Sequence, residues 1–170
     1  MYTIPILGNK RRLRDFNFIK IFLIAIVWAT TTAWIPTYFC GLNTTIITLL
    51  SVERALFFIA ITIPFDIRDE RIDKQINVKT LVHSLGNAKS VIFALFCLLF
   101  SLAILVYLHT SNELHLYHLI GYGISYIITG MLIYFSKDKT SDYYFTGLLD
   151  GTMLLVFAMV YLFTTVLIFN

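Results

Sequence analysis

Residues 46–74 read IITLLSVERALFFIAITIPFDIRDERIDK. The stretch begins as a predominantly apolar run whose charged residues are Glu53 and Arg54. It ends in a block where Asp66, Asp69, Glu70 and Asp73 alternate with Arg68, Arg71 and Lys74. About 20 predominantly apolar residues cross the hydrocarbon core of a bilayer as a helix. Ile46–Phe65 therefore reads as a spanning helix with an acidic block at its mouth.

The rest of the chain is of the same kind. Of its 170 residues 58% are hydrophobic and 14% charged, whereas a soluble domain carries about 25% charged residues. Further apolar stretches run over Ile19–Tyr38, Val91–Tyr107, Leu114–Phe135 and about 146–169, each bounded by polar or turn residues. The pattern predicts an all-α, polytopic transmembrane helix bundle of about five spans, one domain over residues 1–170, with an acidic loop over 66–90. Pro36 and Pro64 fall near span ends, where a helix tolerates a lost hydrogen bond. Trp34, Tyr38, Tyr107, Tyr117, Tyr134, Tyr143 and Tyr144 collect there too, as an aromatic belt does. The first apolar stretch is too long for a secretory leader and lacks a cleavage site.

Basic residues set the expected orientation. All 13 Lys and Arg except Arg54 lie in the N-terminal segment, in 66–90 or in 136–142, and none lies in YFCGLNTT or HTSNELHLYH. The positive-inside rule predicts a cytoplasmic N-terminus and acidic loop, with the C-terminus outside; a cell inner membrane is the default location. The net charge of +3 then follows from topology and calls for no nucleic acid.

Few motifs carry chemistry. Cys40 and Cys97 form no metal-type pair or disulfide framework. There is no phosphate loop, nucleophile elbow, HExxH or internal repeat. His83, His109, His115 and His118 lie at or near span ends without a cysteine or carboxylate set, which reads as polar surface.

The acidic block is different. If the second helix continues past Phe65, Asp66, Asp69 and Asp73 stand at i, i+3 and i+7 and share one face. Like charges so placed repel, and a divalent cation removes the repulsion. Mg2+ is typically held by one or two carboxylates together with phosphates and water. That suits a bound diphosphate, with Arg68, Arg71, Lys74 and Lys79 supplying counter-charge. On spacing alone, a solvated, salt-bridged helix end accounts for the block as well.

DIRDERIDKQINVKTL resembles the second aspartate-rich motif of the UbiA superfamily of intramembrane prenyltransferases. Asp69 and Asp73 match its Asp-x-x-x-Asp element, and Asp66 the often acidic position before it. Lys79-Thr80 match the following basic and hydroxyl positions, and Leu85-Gly86 the Leu-Gly. Asn77 stands where many members have Gly. The order of helices is similar to the second half of that fold, and nothing in these residues fits the family's first aspartate-rich motif. The resemblance implies Mg2+ held by Asp66, Asp69 and Asp73, with Asp69 and Asp73 catalytic and Lys79, Arg68 and Arg71 on diphosphate. It implies an isoprenyl diphosphate and an aromatic or other prenyl acceptor as partners. Activity would need an N-terminal half-bundle or another membrane chain. A non-catalytic lipid-diphosphate binder or scaffold, and a small transporter, are the alternatives.

Three other polar sites stand out. Asp150, flanked by Gly147 and Gly151 at helix-packing spacing, reads either as an interfacial residue beside a packing seam or as a wall of the same cavity. Glu53 and Arg54 read as a structural ion pair or interhelix hydrogen bond. Thr30, Thr31 and Thr32 read as contacts between helices.

Overall fold

A computed structural model describes residues 17–75, 81–139 and 141–168. Among these residues there are helices and turns and no strand. Helix α1 (Asn17–Ala29) passes through a π-helical turn, Thr30–Trp34, into α2 (Ile35–Phe39). Then come α3 (Thr44–Gln75), the short α4 (Leu81–Leu85), α5 (Asn87–Thr110) and α6 (Leu116–Phe135). A 3₁₀ turn, Ser136–Asp138, and a π-helical stretch, Tyr143–Leu149, lead into α7 (Asp150–Ile168). Five segments are long and apolar enough to cross a membrane: Ile19–Phe39, Thr44–Glu70, Asn87–Thr110, Leu116–Phe135 and Tyr143–Thr165. The chain is an all-α integral membrane bundle.

The acidic block is not a loop. α3 carries it in helical form through Gln75, so the segment expected as loop from residue 66 begins in helix and is helical again in α4 and from Asn87. DIRDERIDKQ contains no Gly or Pro, and Glu70 stands four residues before Lys74, a spacing that favours helix. Pro64 lies within this helix rather than at its end, fully buried among its neighbours. Gly86 starts α5 at φ 80° and ψ 158°, a conformation essentially restricted to glycine.

α3 is the central helix. It packs on α1 and α5, while α6 pairs with α7. Phe57, Ala60, Ile61 and Ile63 of α3 are fully buried, and Phe57 stacks on Tyr126 of α6 at 5.2 Å. Phe96, Leu99 and Phe100 on α5, and Leu154 and Leu162 on α7, face outward as lipid-facing residues do. Lipid is as apolar as these side chains, so the helices are held by close packing and interhelical polar contacts instead of by apolar burial.

The closest packing of glycine falls away from the pair that spacing suggested. A Cβ at Gly121 would lie 2.9 Å from the Val160 Cα, so α6 and α7 touch backbone to backbone. One turn on, the buried Ser125 Oγ lies 2.9 Å from the Gly121 carbonyl and 3.5 Å from that of Leu155. Gly147 and Gly151, expected as the packing pair, have nothing within 4 Å of an added Cβ. They lie on faces of their helix that no neighbour approaches closely. Gly147→Ala and Gly151→Ala should each leave stability unchanged or raise it by up to about 1 kcal/mol, the helix-propensity difference between Gly and Ala, in a reversible SDS-unfolding titration.

Glu53 and Arg54 form the expected ion pair inside the bundle, with Arg54 Nε 3.6 Å from Glu53 Oε2. The Tyr126 hydroxyl donates to Glu53 Oε1, and Ser101 Oγ lies 3.0 Å from both that oxygen and the Glu53 carbonyl. The cluster ties α3 to α5 and α6. Two of the three threonines act differently from expectation. Thr31 and Thr32 donate to the carbonyls of Val27 and Trp28, one turn back in their own helix.

Candidate functional site

The acidic end of α3 opens onto a cleft of about 530 Å³ between α1, α3 and α7. Asp66, Arg68 and Asp69 come to it from α3, Lys20 from α1 and Asp150 from the start of α7. These five place three carboxylates and two cations around one mouth. Deeper in, the lining turns apolar, with Trp28, Phe58 and Met153. Trp28 and Phe58 stack across α1 and α3, 5.3 Å between centroids at 19°.

The charged groups of α3 at this mouth are held. Asp66 is 3% exposed, and its Oδ1 lies 3.8 Å from Lys20 Nζ. Arg68 donates through Nε to Asp69 Oδ1 at 2.8 Å and through Nη1 to Asp142 Oδ1 at 3.0 Å. Its guanidinium also lies over the rings of Phe65 and Phe145, at 5.4 and 5.1 Å from their centroids. Arg68 thus fixes the start of the π-helical stretch against the end of α3, using a planar cation's ability to pair and stack at once. The same contact orients the Asp69 carboxylate.

The structure brings Asp66, Asp69, Arg68 and Asp150 to one cleft. Asp73 and Arg71 fall on the last turns of α3, with side chains outside those described, and Lys79 lies outside the described residues. Lys20 figures in the sequence only as part of a basic N-terminal segment, yet it supplies the cation beside Asp66. A basic residue at the inner end of a span is what the positive-inside rule expects, so Lys20 carried no separate signal of this pairing. Trp28 and Phe58 carried no signal beyond their hydrophobicity, because their meeting depends on how α1 crosses α3.

The donor set fits Mg2+ in one particular way. Asp66 and Asp69 stand three residues apart on α3 and offer hard oxygen donors at the same cleft. Among the described residues no three His, Cys, Asp or Glu side chains gather closely enough to make a cage by themselves. Two carboxylates completed by a ligand's phosphate oxygens are the arrangement these residues can provide. Comparison with family models, with curated proteins and with solved structures yields no match to this chain.

Proposed function

We propose that this chain is the C-terminal portion of a UbiA-like intramembrane prenyltransferase, and that its cleft receives an isoprenyl diphosphate. The observation that carries this reading is the polarity gradient of one cleft. Lys20, Asp66, Arg68, Asp69 and Asp150 lie at its mouth, and Trp28, Phe58 and Met153 lie along its apolar wall. The mouth carries one more carboxylate than cation, so a ligand matching it has a diphosphate head that arrives with Mg2+, and a hydrocarbon tail.

In this reading Asp66 and Asp69 hold the metal, with Asp73 completing the motif and serving with Asp69 in catalysis. Mg2+ supplies neutralisation of the diphosphate charge. Lys20 and Arg68, and Lys79 and Arg71 as the family resemblance has it, add cationic contacts to the leaving group. The allylic C–O bond breaks with its electron pair going to diphosphate. An acceptor carbon then bonds to the allylic cation and gives up its proton. Trp28 and Phe58 line the apolar wall beside which that cation would form. The other half of the diphosphate clamp comes from an N-terminal half-bundle or another membrane chain, and the positive-inside rule puts the cleft mouth on the cytoplasmic side.

The test is calorimetric titration of the chain in nanodiscs with geranyl diphosphate, with and without Mg2+. Binding is expected only with Mg2+. Asp69→Asn should weaken it roughly 10- to 100-fold, the worth of one lost charge-assisted contact. Binding that ignores Mg2+, or that is unchanged in both Asp66→Asn and Asp69→Asn, would remove the reading. A non-catalytic scaffold is the second reading, favoured by the ion pairs that already engage Asp66 and Asp69. It predicts no diphosphate binding at all.

A further inference from the structure

A second cleft, of about 340 Å³, opens beside Arg54. It shares Trp28, Phe58 and Met153 with the first, so the two adjoin along α1, α3 and α7. Its walls include Phe57, Tyr122 and Phe157 in addition to those residues. Arg54 is the charged member of this lining, and its position is costly. The span Thr44–Glu70 has its midpoint at Phe57, so Arg54 stands about 4.5 Å of helix rise from the centre of the span.

The guanidinium is incompletely used. It carries five N–H donors. Among the described residues its hydrogen-bond acceptor is the Tyr122 hydroxyl, 3.1 Å from Nη2. Glu53 Oε2 lies 3.6 Å from Nε, close enough to balance the charge and too far for a good hydrogen bond. Phe57 and Tyr122 place their ring faces 5.7 and 5.6 Å from the guanidinium carbon. Donors therefore remain on a group that lines an aromatic cleft deep in the bilayer, where water cannot be counted on to satisfy them.

We propose that this cleft binds a neutral, membrane-soluble molecule whose carbonyl oxygen accepts a hydrogen bond from Arg54, with its ring against the aromatic walls. Charge selects neutrality. Glu53 already balances Arg54, so an anionic ligand would add an uncompensated charge at the worst depth. Depth selects the body of the ligand. A phospholipid keeps its ester carbonyls near the interface, whereas a quinone- or ketone-type molecule without a charged head can reach the middle of the bilayer. This site stands on residues other than the acidic end of α3 and does not depend on the diphosphate reading.

The experiment follows thermal unfolding of the full chain in nanodiscs by circular dichroism. The probes are a para-benzoquinone carrying a decyl chain, and decylbenzene, which has the same apolar body and no carbonyl. The quinone should raise Tm progressively with concentration, as a ligand of the folded state does, and decylbenzene should not. The rise should vanish in the charge-neutral Glu53→Gln/Arg54→Met variant, which has no side-chain donor at residue 54. It should vanish too in Thr32→Trp, which fills the cleft from the exposed face of the first span and leaves the ion pair intact. An equal rise with decylbenzene, no rise with the quinone, or a rise that survives Thr32→Trp would overturn the proposal. Should the double variant not fold, Thr32→Trp and the decylbenzene control decide the matter between them.

Discussion

Replacing Gly121 with leucine is expected to cost about 3 kcal/mol or more and to separate α6 from α7. Overpacking a well-packed interior typically costs about 1–3 kcal/mol because side chains shift to make room. Here the neighbour is backbone: the Val160 Cα and N lie 2.9 and 3.0 Å from the position the new Cβ would take. Neither can rotate away, so the helices themselves must part. Parting them also lengthens the approach of Ser125 to the Leu155 carbonyl. SDS-driven unfolding should show the loss directly. A cysteine pair placed across α6 and α7 should cross-link more slowly in the variant. Leucine at Gly123, where an added Cβ meets nothing within 4 Å, is the control that should leave both readouts near wild type.

Arg54→Ala should be comparably damaging, for an electrostatic reason. Glu53 is 1% exposed within a spanning helix. Removing its cation leaves a buried carboxylate, a change worth about 3–5 kcal/mol in proteins generally. Glu53→Gln/Arg54→Gln should recover most of that loss and come within about 1 kcal/mol of wild type, since a buried ion pair often adds little over a neutral substitute. The amide oxygen introduced by Glu53→Gln can still accept from Tyr126 and Ser101, the two hydroxyls that reach Glu53 Oε1.

Much of this architecture was legible in composition and spacing. Each of the five spans was located because a membrane segment must be apolar along its whole length, a property of consecutive residues that needs no partner. The shared face of Asp66 and Asp69 was legible for the same reason, given a helix that continues past Phe65. Where that helix ends was not, because the block is polar enough to be read as loop and its helical character rests on the absence of breakers. Asp150 could be marked as out of place in a span, yet only the fold puts it at the mouth shared with Asp66 and Lys20.

Sequence alone determined the class of this protein, its spans and the acidic face of α3, since all of these depend on residues adjacent or one turn apart. Tertiary structure decided which glycine joins two helices, which lysine meets Asp66, and that Trp28, Phe58 and Met153 line both clefts. Gly121 and Gly147 are alike as letters. One faces Val160 and the other faces open space because of how α6 is rotated against α7 and how the π-helical stretch before α7 is rotated against its neighbours, and those rotations are settled by packing across the whole bundle.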